Sequence, residues 1–275
     1  MTQPFDPAPF HDFERAGWQQ AAEHYGDAFG RLTSRTADAL LDAARVSAGT
    51  RVLDVATGPG YIAASAAARG ASVTGLDFSA AMIALARTHH PAIDFREGDA
   101  EALPFDAESF DAVVMNFGML HLARPDAAIA EAHRVLRPGG RFGFTVWGAP
   151  ELALGFGLVV RAVEKYGEPG VGLPEGPPFF QFSDAVACRT TLNAAGFSDV
   201  DIGTLRLTWE MTSPDAVFAA VSQGGVRTAA VLRAQTPDAL VQIRAAVRRG
   251  VEAYWSKDGT FAVPMLVVLA SGMTT

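Results

Sequence analysis

The sequence predicts an α/β protein built on a doubly wound, mostly parallel sheet, and three observations carry that reading. From Thr50 to Trp147 short apolar runs alternate with amphipathic ones, the order that βα units produce. Within that span, Val52-Leu53-Asp54-Val55-Ala56-Thr57 ends in the turn Gly58-Pro59-Gly60, and an Ala-rich helical segment follows at once. Glycine adopts the positive φ that such a turn needs and lets backbone N–H groups come close to a ligand. The apolar runs also end in polar residues (Asp77, Asp99, Asn116), and the carboxyl ends of the strands are where a doubly wound sheet binds its ligand.

Each element has a local cause. Arg51–Ala56 reads as the first strand and Tyr61–Arg69 as the helix after the glycines. Ala71–Leu76 is a second strand ending in Asp77, after which Ser79 caps a helix that runs to about His89 and stops at Pro91. Ile93–Glu97 and Asp111–Met115 are the third and fourth strands, Asp126–Leu136 a helix closed by a Pro138-Gly139-Gly140 turn, and Arg141–Trp147 the fifth strand. Further on, Glu151–Tyr166 is helical, Gly167–Phe182 is a Gly/Pro-rich loop, Asp184–Ala195 is a helix ended by Gly196, and Asp199–Thr208 is a sixth strand. Pro214–Ser222 and Asp238–Tyr254 are helices, and Phe261–Leu269 is a last strand. Ahead of all this, Phe10–Leu41 carries Phe10, Phe13, Trp18, Ala21, Ala22 and Tyr25 at helical spacing, which predicts one or two helices over the pocket. The expected organisation is a helical cap over residues 1–45 and a main domain over 46–275, with lid insertions at about 150–182 and 212–257.

Composition narrows the function. The chain has 275 residues, 49% of them hydrophobic, enough for a large core. A formal charge of −8 argues against nucleic acid as the main partner. With Cys188 as the single cysteine, neither a disulfide framework nor a cysteine metal site forms within one chain, and no His/Asp/Glu set has ligand spacing, so no metal is expected. Met1–Asp6 lacks the basic and apolar regions of a signal peptide, and Phe261–Ala270 contains Pro264 and is too short to span a bilayer. A cytoplasmic protein without stable membrane insertion, monomeric or homodimeric, is the expectation.

At the strand ends, Asp77 can accept from both hydroxyls of a ribose, and Asp99 with Ala100 suits an adenine edge. Each residue alone has a plain structural reading: a Gly-x-Gly turn used only for geometry, an Asp favoured at a helix N-terminus, an Asp in a turn. All three in order, each at a strand end, are harder to dismiss. A dinucleotide remains a rival, because Gly58–Ala63 fits G-x-G-x-x-G/A and Asp77 follows Gly60 by seventeen positions. Against it, Asp54 and Thr57 interrupt the apolar strand, and Gly98–Phe105 has no role in that reading.

Val52–Gly60, Gly75-Leu76-Asp77, Gly98–Phe105 and Arg134–Gly140 together resemble the motif series of class I S-adenosylmethionine-dependent methyltransferases, in the ubiquinone/menaquinone-biosynthesis-like branch. The resemblance covers roughly residues 45–147 and, more weakly, Ala195-Gly196-Phe197. It implies a seven-stranded Rossmann-like sheet with a reversed last strand, for which Phe261–Leu269 is suited, and S-adenosylmethionine as cofactor with S-adenosylhomocysteine as product. Carried over residue by residue, Gly58 and Gly60 would face the methionine part, Asp77 would hold the ribose and Asp99 with Ala100 the adenine, with Ala56 and Phe78 also among the cofactor-binding residues. Met82 would pack on that ring, Asn116 and Phe117 would lie near the sulfonium, and Asp54 would brace the glycine loop or reach the amino group through water. Tyr25 and Trp18 sit where relatives close over the cofactor.

The implied activity is in-line transfer of a methyl group to a small, apolar or aromatic acceptor at O, C or N. The alternatives are a cofactor-binding protein without transferase activity and an NAD(P)-dependent oxidoreductase. A base is needed only if the acceptor must lose a proton first, and His121 is the best-placed histidine, although bonding within its own loop is the plainer reading. His89 and His90 look like helix-end residues, and His11 and His24 are expected mostly at the surface. Phe179, Phe180, Phe182, Trp209, Met211 and Phe218 are candidates for an apolar lid, with core packing expected for about half of them. The Arg244/Arg248/Arg249 cluster reads as a solvated helix face and Cys188 as a buried small hydrophobe.

Overall fold

A computed structural model of the protein describes residues 6–275; Met1–Phe5, read above for a leader and as the start of the cap, lies outside the described residues. Seven strands form one sheet in the order β3-β2-β1-β4-β5-β7-β6. The first five are β1 Arg51–Val55, β2 Ser72–Asp77, β3 Asp94–Glu97, β4 Phe110–Asn116 and β5 Leu136–Trp147, all parallel. Strand β7 Phe261–Met273 runs antiparallel to β5 and to β6 Ser198–Met211, so the expected doubly wound sheet with a reversed last strand is what the chain forms. The central strands are covered on both faces, which is why Val52, Leu53 and Val55 of β1 and Ala112–Met115 of β4 read as near-continuous apolar runs.

Helices α4 Tyr61–Ala68, α5 Ala80–His89 and α6 Pro125–Val135 make the parallel crossovers. Ser79 caps α5 as expected, its Oγ accepting from the Met82 N–H at 3.4 Å. The Pro138-Gly139-Gly140 segment does not close α6. That helix ends at Val135, and β5 starts at once with Leu136 against Phe110; its register then jumps so that Arg141 pairs with Ala112. Gly139, at φ +77°, carries the resulting bulge. Strands β6 and β7 outrun their expected ends because Ala270, Ser271 and Gly272, small residues that resemble a break, stay paired to β5.

The N-terminal segment divides into α1 Ala8–Tyr25, a π turn Gly26–Gly30, a single turn α2 Arg31–Thr33, a 3-10 turn Ser34–Thr36 and α3 Ala37–Ala43. Only the first part lies over the pocket. Leu40 and Leu41 of α3 pack beneath the sheet with Val52, Ala112 and Val114. The second half adds α7 Leu154–Tyr166, α8 Ala185–Ala194, α9 Ala216–Gly224, α10 Arg227–Arg233 and α11 Pro237–Glu252; α10 was not expected from the sequence. Helix α1 passes so close to the start of α10 that a Cβ on Gly17 would lie 2.3 Å from a Val226 methyl. Among the described residues no helix is long and apolar enough to cross a membrane.

Candidate functional site

The carboxyl ends of β1, β2 and β4 and the loop after β3 open on one cavity, continuous with solvent and roofed by α1, α9 and α10, with about 1050 Å³ of empty space when the open solvent at its mouth is included. At one end its wall is polar. Two non-glycine residues take positive φ there, Ala56 (+54°) just past β1 and Phe117 (+55°) just past β4. Such conformations are costly and persist where the surroundings impose them, as at ligand sites. Gly118 allows the two strand ends to meet, since a Cβ there would stand 2.7 Å from that of Ala56.

Asp77 lies at the end of β2, buried, with Oδ2 accepting from the Gly58 N–H and Oδ1 from the Ser79 N–H, both at 2.9 Å. A carboxylate offers about four lone-pair directions, so one on each oxygen stays free. Burial pushes this carboxyl up to about 6, against the pull of the two N–H donors. Asp54 is buried deeper. Its Oδ2 accepts from Thr57 Oγ1 at 2.6 Å and from the Ala63 N–H at 3.0 Å, which ties the glycine loop to the start of α4. Its Oδ1 is buried with no partner. Burial raises the Asp54 carboxyl to about 7, and the nearby Asp77 adds to the rise.

At the other side of this polar end, Asp99 Oδ1 accepts from the Glu101 N–H at 2.8 Å. His11 Nε2 of α1 sits 3.1 Å from Asp99 Oδ2 without being aligned to donate, and its ring stands edge-on to Phe78. Phe78, Met82 and Ala100 complete the apolar part of that wall. These placements satisfy what an adenosyl group with an amino acid tail asks for: an open carboxylate pair for ribose hydroxyls, an orphaned buried acceptor for an ammonium, and a flat apolar slot beside an Asp.

Away from the polar end the wall is aromatic. The rings of Phe117 and Trp147 stack with centroids 4.1 Å apart, Trp147 continues to Phe156 at 5.4 Å, and Phe156 to Phe29 and Phe179, both at 5.7 Å. Tyr25 donates to or accepts from Thr33 Oγ1 at 3.1 Å and lines both this cavity and a small recess beside it, with its phenol pushed up to about 12 by burial. His121 lies at the junction, edge-on to Trp18. Its Nδ1 is 2.9 Å from Glu14 Oε2, and Glu14, with no exposed surface, takes the Arg227 Nε–H on its other oxygen at 2.8 Å. Arg227 also donates to the Pro177 and Leu120 carbonyls, each at 2.7 Å, and covers the Phe10 ring. Burial holds its guanidinium below the usual value while Glu14 pulls it back up.

Of the residues expected at the site, Tyr25, Ala56, Gly58, Asp77, Phe78, Met82, Asp99, Ala100, Asn116, Phe117 and His121 line this cavity, and Asp54 a small recess beside it. Gly60 is not on the wall. At φ +87° it starts α4 with its Cα turned to Phe95, where a Cβ would come within 2.8 Å of the ring. The Asn116 amide is engaged within the protein: its Oδ1 accepts from Thr36 and Thr145, and its Nδ2 donates to the Thr33 carbonyl. Of the six lid candidates, five aromatics and Met211, Phe179 alone reaches the cavity. Phe182, Trp209 and Met211 are core, and Phe180 and Phe218 pack against the core from its edge. His11, expected at the surface, faces the cavity, while His24 is exposed as expected. Arg244 and Arg248 pair with Asp215 on an exposed helix face. Cys188 is buried, with its thiol pushed up to about 12. Glu14 and Arg227 escaped the sequence reading, being 213 positions apart with no local motif. Among the described residues no three His, Cys, Asp or Glu side chains gather as a metal site would require.

A family profile described as a methyltransferase domain matches residues 53–144. The demethylmenaquinone methyltransferase of Thermus thermophilus is 36% identical over 195 residues, which are 62% of this chain and 87% of that protein. That of Renibacterium salmoninarum is 44% identical over 109 residues, 40% of this chain and 46% of its own length. The chain spans about half the length or less of four of the first five such relatives. Among solved structures, the YcgJ protein of Bacillus subtilis superposes with a TM-score of 0.58 at 18% identity, covering 87% of this chain and 98% of that one, a likeness of fold.

Proposed function

The chain belongs to the class I S-adenosylmethionine-dependent methyltransferase family, and we propose that it transfers the cofactor's methyl group to a small aromatic acceptor. The observation that carries this reading is the division of one cavity into a polar end built from strand termini and an aromatic chamber beyond it. S-adenosylmethionine supplies a methyl group on sulfur, and the C–S electron pair departs on sulfur as the neutral thioether of S-adenosylhomocysteine.

The residues of the chain bind, orient and exclude water. In this proposal the two free lone-pair directions of Asp77 take the ribose hydroxyls. Asp99 accepts from the exocyclic amine of an adenine seated against Phe78, Met82 and Ala100. The orphaned Asp54 Oδ1 accepts from the ammonium, directly or through water, near Ala56 and Gly58. Tyr25 and Phe117 flank the passage to the chamber, and Asn116 fixes its wall by pinning the α2–α3 turn to β4 and β5. Proximity and orientation are what such a transfer asks of a protein, since the methyl group is already activated. The name shared by the relatives, demethylmenaquinone methyltransferase, points to a quinol-type ring, and a ring is the shape that a wall of Phe29, Trp147, Phe156 and Phe179 suits.

Calorimetry with S-adenosylhomocysteine and with NADH, followed by labelled methyl transfer to a panel of hydroxylated aromatic rings, tests this. Binding of NADH alone would overturn the reading. Binding of S-adenosylhomocysteine with no transfer to any ring would leave a cofactor-binding protein in its place.

A further inference from the structure

Three segments far apart in sequence converge on His121: α1 brings Glu14, the turn after β4 brings the histidine, and α10 brings Arg227. We propose that His121 is the proton acceptor for an aromatic hydroxyl in the chamber, and that Glu14 and Arg227 are its positioning residues, assembled only when α1 and α10 are docked on the sheet. This rests on the methyltransferase reading above and adds that the acceptor is protic.

The geometry assigns the tautomer. A carboxylate oxygen 2.9 Å from Nδ1 can only accept, so Nδ1 carries a hydrogen, and in the neutral ring the free lone pair is then on Nε2. Nε2 has no hydrogen-bond partner among the described residues, is not fully buried, and belongs to a ring that lines the cavity next to Trp18 and Phe179. In the proposed step the O–H bond of the acceptor breaks, its proton forms an N–H bond at Nε2, and the electron pair stays on oxygen. The imidazolium that results is balanced by Glu14. Glu14 is itself aimed by Arg227, which also donates to the Pro177 and Leu120 carbonyls. Of the remaining titratable groups on the cavity wall, Glu101 accepts from Arg124, Asp77 holds two backbone N–H groups and Tyr25 is bonded to Thr33, while His11 and Asp99 face each other at the polar end without a hydrogen bond.

Glu14→Gln gives the sharpest test, because it preserves shape and inverts the hydrogen bond. The Gln amide turns its oxygen to Arg227 and its NH2 to His121, so Nδ1 becomes the acceptor and Nε2 the donor. In the S-adenosylhomocysteine complex, ¹⁵N NMR should show His121 as the Nδ1–H tautomer in the wild type and as Nε2–H in Glu14→Gln. Transfer to an unactivated phenol should fall roughly 10²-fold in Glu14→Gln and in His121→Asn. Transfer to a nitro-substituted phenol, already ionised at the assay pH, should fall by less than about 3-fold, since no proton remains to be taken. S-adenosylhomocysteine affinity should be unchanged. Equal losses with both phenols, no loss with either, a wild type that methylates neither, or an Nε2–H tautomer in the wild type would overturn the proposal. If the wild type does not bind S-adenosylhomocysteine at all, the methyltransferase reading fails instead. Should His121→Asn not fold, as judged by its melting curve, Glu14→Gln and Arg227→Lys carry the same comparison.

Discussion

Replacing Asp54 by Asn should make the protein more stable and bind its cofactor less well, and both effects follow from the two oxygens of one side chain. The carboxyl is raised from 3.8 to about 7 because burial penalises its charge. The folded chain therefore holds this proton more tightly than the unfolded chain does, and stability falls as pH rises from about 4 to about 7, with the loss complete above that. A rise of about three units at ~1.4 kcal/mol per unit sets the loss at no more than ~4 kcal/mol. An Asn Oδ1 keeps the bonds from Thr57 Oγ1 and the Ala63 N–H, and its NH2 replaces an oxygen that has no partner either. Urea unfolding followed by tryptophan fluorescence should thus find the variant more stable than wild type at pH 8, by a few kcal/mol, and close to wild type at pH 4. S-adenosylhomocysteine affinity should drop by roughly 10- to 150-fold, the loss of one charge-assisted bond of about 1.5–3 kcal/mol to the ammonium. In wild type, that binding should also release a proton near pH 7, visible as a buffer-dependent heat. A stability difference that does not change between pH 4 and pH 8, or a variant that binds as tightly as wild type, would refute the reasoning.

Three further outcomes are expected. Asp77→Ala should weaken S-adenosylhomocysteine binding by at least about 10-fold in calorimetry, through loss of charge-assisted bonds of roughly 1.5–3 kcal/mol each; an unchanged affinity would remove Asp77 from the ribose. Gly60→Ala should lower the melting temperature by several degrees, since a side chain at φ +87° costs about 1–3 kcal/mol and its Cβ would press on Phe95; a melting curve like wild type would contradict the geometry at the start of α4. Cys188, buried and with a thiol near 12, should resist an aromatic disulfide reagent at pH 8 until denaturant is added, and immediate colour would show that it is accessible.

The parallel half of the sheet and the polar end of the cavity were legible because each rests on a signal a few residues long. A strand end followed by Asp or Gly is local, and Asp77, Asp99 and Gly58 all line the cavity as expected. Gly60 shows the limit of such signals, since the same glycine serves a turn or a ligand and only the position of Phe95 decides. The Pro138–Gly140 segment misled for a related reason: a turn signature inside a strand is also how a bulge is built. The aromatic chamber was not legible. Phe182 and Trp209 carry the same aromatic signal in sequence as Phe156 and Phe179, and only the packing of the helices on the sheet decides which of these rings face the cavity. Glu14, His121 and Arg227 fall on three elements whose meeting depends on the whole of the helical layer, and α10 itself is only seven residues long.

Strand β7 is the last of the seven to be made, yet it lies inside the sheet, between β5 and β6. The edge strand β6 has no other partner, so it must wait beside the exit of the ribosome with its backbone groups unpaired until β7 emerges. Synthesis therefore leaves an interval in which the parallel half can already fold while the antiparallel pair cannot. The aromatic chamber, which leans on Met265 through Gly155 and Trp209, closes only after that interval ends.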